Sequence, residues 1–200
     1  LFSNGARARR YLCLIVSGIP IWYGVGILVT FSPEIGKNLG LAPAPAAGTA
    51  VMCDYIGLAI GDFASGALSQ VIKSRKRAVL LFLVVTTAAI GIYFTLGRSS
   101  LFAFYASCGL LGFGTGYWAV FVTMASEQFG TNIRATATTT APNFVRGAVV
   151  PLTYAFTALK GGLGVQGSAL AVGAVVMLAA FLSLLALPET YGRDLAFTEE

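Results

Sequence analysis

With 200 residues, 56% of them hydrophobic and 10% charged, 24 glycines and a mean hydropathy of +0.80, the chain is too apolar for a soluble domain. Its net charge of +5 falls at the ends of apolar runs rather than along a basic stripe, which argues against nucleic acid as a partner. Histidine is absent, and Cys13, Cys53 and Cys108 show no metal-ligand spacing, so no metal, cofactor, disulfide framework or covalent chemistry is expected: the chain reads as a membrane protein and not an enzyme.

Crossing about 30 Å of hydrocarbon takes roughly 20 apolar residues. Six runs qualify, at 11–31, 47–72, 78–96, 101–125, 137–159 and 165–187. The first follows Arg7, Arg9 and Arg10; it is too long for a signal peptide, and five more runs follow it. Within it Gly18, Pro20, Gly24 and Gly26 interrupt regular helix around Trp22 and Tyr23, which a membrane tolerates where protein or a wet cavity satisfies the freed backbone. Residues 32–46, with Pro33, Gly36, Gly40, Pro43 and Pro45, read as a loop.

The second run carries two acids, Asp54 and Asp62, and ends in Lys73, Arg75, Lys76 and Arg77. The third is nearly featureless and reads as an outer, lipid-facing helix. In the fourth, Gly109, Gly112, Gly114 and Gly116 lead into Tyr117 and Trp118; glycines so placed favour close helix packing. The fifth holds Pro142, Asn143, Arg146 and Pro151, and the sixth ends before Pro188.

With the amino end cytoplasmic, that side receives Arg7, Arg9, Arg10, Lys73, Arg75, Lys76, Arg77, Arg134 and Arg193, against Lys37, Arg98 and Lys160 opposite. This positive-inside bias predicts cytoplasmic termini in a plasma or inner membrane. Acid-bearing second and Arg-bearing fifth runs hold matching places, as do the apolar third and sixth, so the six divide into two inverted three-helix repeats.

Three loop segments then carry a resemblance. Gly66 to Gln70 with the Lys73 to Arg77 cluster resembles the Gly-x-x-x-Asp-Arg-x-Gly-Arg-Arg loop of the major facilitator superfamily, with Gln70 in the Asp place and Lys73 in the second Gly place. Glu127 to Arg134 resembles its Glu-x-x-Pro-x-x-x-Arg loop, with Gly130 in the Pro place. Pro188, Glu189, Thr190, Tyr191, Gly192 and Arg193 resemble the Pro-Glu-Thr-x-Gly-Arg ending of sugar-porter-like carriers. The resemblance covers the whole chain and implies an all-α carboxy-terminal half, helices seven to twelve of a twelve-helix transporter. Its partner is then the amino-terminal half or a second copy. It also implies that Gly66, Gln70, Arg75, Arg77, Glu127, Arg134, Glu189 and Arg193 belong to a cytoplasmic gate, the bland alternative being that the basic residues only set topology. For Glu127 a structural pair with Arg134 is expected.

Asp62 lies about 16 Å along a helix from Lys73 and Arg146 about 18 Å from Arg134, which places both near mid-membrane. Charges there need a partner or a wet cavity. The resemblance implies that a cation in this fifth helix meets anionic substrates, so Arg146 is the leading substrate contact, with Asn143 beside it, or else the permanent partner of Asp62. Asp62 and Asp54, two turns apart, are the candidate proton-coupling carboxylates, and Trp22, Tyr23, Tyr117 and Trp118 a candidate aromatic cage. The expected activity is proton-coupled secondary transport of a small polar metabolite, an organic anion or sugar-like compound, by alternating access. The alternative is a six-helix receptor or assembly module that binds without transporting.

Overall fold

The computed structural model describes residues 4–199. Helix α1, Gly5–Tyr23, starts where the Asn4 side chain accepts from the N–H groups of Ala6 and Arg7, six residues before the apolar run itself. Pro20 lies inside it, and the chain then widens into a π-helical turn, Gly24–Val29, closed by the Thr30 N–H on the Val25 carbonyl at 3.1 Å. Pro20 brings no N–H to the helix ladder, and the regular pattern gives way four residues on, at Gly24.

The expected loop at 32–46 contains a helix, α2, Ser32–Asn38. Pro33 sits in its first turn, where a missing N–H costs nothing, so proline begins this helix instead of preventing it. Helix α3, Ala47–Val71, is followed at Lys73 by a left-handed φ of 49°, which turns the chain sharply into α4, Arg75–Thr95. A 3-10 turn, Gly97–Ser99, leads to α5, Leu101–Thr115, capped by the Ser100 hydroxyl.

The fourth expected span is two helices. The chain breaks at Gly116 and Tyr117 before α6, Trp118–Gln128, and the amino end of α6 thereby falls inside the bundle. Helix α7, Thr131–Gly147, starts earlier than its apolar run and includes Pro142. After Ala148 comes α8, Val149–Ala186, interrupted at Gly164 (φ 67°, ψ 178°). That conformation is open to glycine alone, and it turns the helix back on itself: Leu152, Ala155 and Leu159 of the first arm face Ala171, Val172, Val175 and Val176 of the second across one crevice.

Five helical stretches are long and apolar enough to cross a membrane: Gly5–Val29, Ala47–Val71, Arg75–Ser99, Leu101–Gln128 and Thr131–Ala186. Tyr11, Tyr23, Tyr93, Phe104, Tyr117 and Phe121 fill the centre of the bundle they form. Helices α3 and α5 meet through glycine. A Cβ on Gly57 would collide with the Gly109 carbonyl, one on Gly112 with the Asp54 carbonyl, and one on Gly116 with the Gly61 backbone. Backbones therefore touch along this seam.

The outer position expected of the third run goes to the second. Of the spanning windows, 22% of the α3 residues are buried against 44% for α4. α3 spends one face on α5 and leaves Met52, Tyr55, Ile56, Ile60 and Phe63 uncovered.

Candidate functional site

A cavity of about 180 Å³ opens between α1, α3, α6 and α7, lined by Ile21, Trp22, Val25, Tyr55, Leu58, Trp118 and Arg146. The break before α6 puts Trp118 at its first helical position, and the rings of Trp118 and Trp22 meet edge to face at 6.4 Å. Phe121 stacks on Trp118 from behind at 5.5 Å and holds it in place. The Arg146 guanidinium lies 5.2 Å over the Trp22 ring and is exposed, and among the described residues no acid pairs with it. The indole N–H of Trp22 is buried and has no acceptor. The site thus offers a positive fork and aromatic walls, a set that suits an anionic group on an apolar body.

Three of the six expected substrate contacts, Trp22, Trp118 and Arg146, come together here. Tyr23 and Tyr117 do not. Both are buried, the Tyr23 hydroxyl donating to the Ala169 carbonyl at 2.7 Å and the Tyr117 hydroxyl to the Ser17 carbonyl at 3.0 Å, so they tie helices rather than line the cavity. The Asn143 side chain donates back to the Thr139 carbonyl on its own exposed helix face. Tyr55 and Leu58 went unmarked in the sequence; standing seven and four residues before Asp62 on α3, they share its helical face, and that spacing was the available signal.

The two acids separate. Asp62 is half-buried and its Oδ1 accepts the Ala119 N–H at 3.0 Å, closing the amino end of α6 from a neighbouring helix. Asp54 is fully buried against the α3–α5 seam, and neither carboxyl oxygen has a hydrogen-bond partner. An ionised carboxyl buried without a partner is costly, so Asp54 differs from Asp62 in having nothing that would hold a charge.

The loop-signature residues gather at one end of the bundle. Arg75 reaches Glu127 at 3.3 Å and the Ser69 hydroxyl at 2.7 Å, and lies over the Tyr191 ring. Glu127 also accepts from the Thr190 hydroxyl at 2.7 Å. Glu189 accepts from the Ser74 hydroxyl and the Arg75 N–H at the start of α4. Burial pushes the Glu189 carboxyl up, but its bonds from Ser74, Tyr191, Thr190 and Arg75 outweigh that and hold it below the usual carboxylate range.

The expected Glu127 pair with Arg134 is replaced by Glu127 with Arg75. Arg134 instead donates to the Phe129 and Leu195 carbonyls, because Gly130 turns the chain at the start of α7 and points Arg134 at the carboxy-terminal segment. Arg193 packs over Phe197, while Gln70 and Arg77 are exposed and Gly66 has open space about it.

No family model matches the chain, and comparison with curated proteins returns no match.

Proposed function

We propose that this chain is one half of a secondary transporter of the major facilitator type, moving a small organic anion by alternating access and coupled to protons. The observation that carries the reading is the exposed, unpaired Arg146 over Trp22, beside Trp118, at the mouth of the aromatic cavity. The Arg146 guanidinium, with no acid opposite it among the described residues, favours an anion over a neutral sugar.

In this reading the chain crosses the membrane six times as two inverted three-helix repeats, Gly164 dividing the last stretch into two crossings, with both termini cytoplasmic. Asn132, Thr136, Thr139, Asn143 and Arg146 form an exposed polar stripe down α7, which lipid does not solvate. A second helical bundle, another part of the same protein or a second copy, supplies the facing wall of a wet pathway. The cluster of Arg75, Glu127, Glu189 and Thr190 is then the cytoplasmic gate, closed as it stands here and parted when the site faces inward.

Binding tests the reading first. A panel of small mono- and dicarboxylates and neutral sugars, screened by thermal shift on the protein in nanodiscs, is expected to give stabilisation by carboxylates that is lost in Arg146→Ala. Stabilisation by neutral sugars alone, unaffected by that substitution, refutes it. Carboxylate binding without uptake into proteoliposomes under any gradient points to a receptor instead.

A further inference from the structure

We propose that Asp54 is a proton-binding site that controls the seam between α3 and α5: neutral, it lets the two helices close on each other, and ionised, it parts them. The proposal deepens the transport reading above and rests on it for its purpose, though not for its test. Asp54 is fully buried with both carboxyl oxygens unpartnered, a condition that among the described residues no other acid shares. The helix backbones are in contact here: a Cβ on Gly112 would strike the Asp54 main-chain carbonyl, and one and two turns farther along α3 Gly57 and Gly61 meet Gly109 and Gly116 backbone to backbone. Neither solvent nor a partner reaches the carboxyl oxygens while the helices touch, so ionisation favours their parting.

The groups around it supply no compensation. Cys108 on α5 and Cys53 on α3 are the titratable side chains beside Asp54, with Tyr93 of α4 and Tyr23 of α1 behind Cys108. The π-helical turn Gly24–Val29 carries no titratable side chain. Glu34 and Lys37 of α2 belong to the far end of the bundle, where Glu34 pairs with Lys160, and Glu127 of α6 is held by Arg75 at the other end. Among the described residues no basic side chain forms an ion pair with Asp54.

The seam also reaches the cavity. Tyr55 follows Asp54 directly and Leu58 lies one turn on, both in the cavity wall, and Asp62 on the same helix holds the N–H next to Trp118. A shift of α3 away from α5 therefore displaces two groups of the cavity wall and the acid that holds the start of α6, and proton binding at Asp54 changes the shape of the site without touching its ligand.

Cys108 is a native reporter, since it is fully buried on α5 beside Asp54 and becomes alkylatable only when the seam opens. The experiment follows N-ethylmaleimide labelling of Cys108 by mass in the full chain, in nanodiscs, with Cys13→Ser and Cys53→Ser, from mildly acidic to alkaline pH. It needs neither substrate nor gradient, so a failed transport assay leaves its result standing, and the reverse. Asp54→Asn gives the rise due to thiolate formation alone. The chain with Asp54 intact is expected to exceed it by about tenfold at alkaline pH and to equal it at acidic pH. Asp54→Val, neutral and suited to an apolar seam, serves the same purpose should the amide variant not fold. In a seam that stays closed, Cys108 remains out of reach whatever the charge on Asp54. A rate at or below that of the neutral variants at every pH therefore overturns the proposal.

Discussion

Asp62 on α3 accepts the Ala119 N–H at 3.0 Å, so an acid on one helix caps the amino end of another. The bond exists because α5 and α6 are separated at Gly116 and Tyr117, which strands the first N–H groups of α6 inside the bundle. An amide oxygen accepts as well as a carboxylate in this place. Asp62→Asn is expected to fold normally and keep its dependence on a proton gradient, while Asp62→Ala loses about 1 kcal/mol, read as a lowered melting temperature.

Arg146 contributes both charge and a planar face over Trp22. Lysine keeps the first and loses the fork. Arg146→Lys is expected to weaken carboxylate binding by about tenfold, and Arg146→Ala by about a hundredfold, with little change in melting temperature because the side chain is exposed and unpaired. Titration calorimetry on both variants measures the difference.

The α3–α5 seam makes glycine identity a matter of folding. Gly112→Ala places a methyl group on the Asp54 carbonyl, and Gly57→Ala one on the Gly109 carbonyl, and backbone cannot yield as a side chain would. Each is expected to abolish a monodisperse elution profile, whereas Gly66→Ala, with nothing within 4 Å, elutes as the unaltered chain does.

Two positions at the basic end respond in opposite senses. Lys73 holds a φ of 49° that glycine adopts without strain, so Lys73→Gly is expected to stabilise by up to about 1 kcal/mol in thermal melts. Glu189 is held below the usual carboxylate range by its bonds to Ser74 and the start of α4. Its contribution is complete above that range and is lost as pH falls through the lowered value. Melting temperature should therefore fall on acidification in the unaltered chain, and Glu189→Gln should flatten that part of the slope.

Much of this was legible in the residues. Apolar length marked the stretches long enough to cross a membrane, five where six were expected, and the glycines of the fourth run marked close packing without naming α3 as the partner. The spacing that set Asp62 and Arg146 at matching depth said nothing of direction, and Arg146 falls in the last turn of α7; the two acids of α3, about 80° apart around the helix, went to different neighbours. The break before Trp118 was not legible in the glycines, which point to packing within one span, and its consequence, a stranded helix end that claims Asp62, depends on which helix lies alongside. Pairing failed for the same reason: Glu127 and Arg134 are close in sequence, but Arg75, 52 residues away, is the one within reach. Tyr23 and Tyr117 were marked by their aromatic neighbours, and only packing distinguishes a ring that lines a cavity from one whose hydroxyl is spent on a buried carbonyl.

The central claim is that Arg146 and the Trp22 and Trp118 walls form the substrate site of a proton-coupled carrier. Its most direct measurement is uptake of a labelled carboxylate, chosen from the binding screen, into proteoliposomes under an imposed pH gradient, with the facing half co-reconstituted or the chain present as its own partner. The account predicts gradient-driven accumulation that collapses with a protonophore and falls to background in Arg146→Ala. Accumulation that persists unchanged in Arg146→Ala would contradict it.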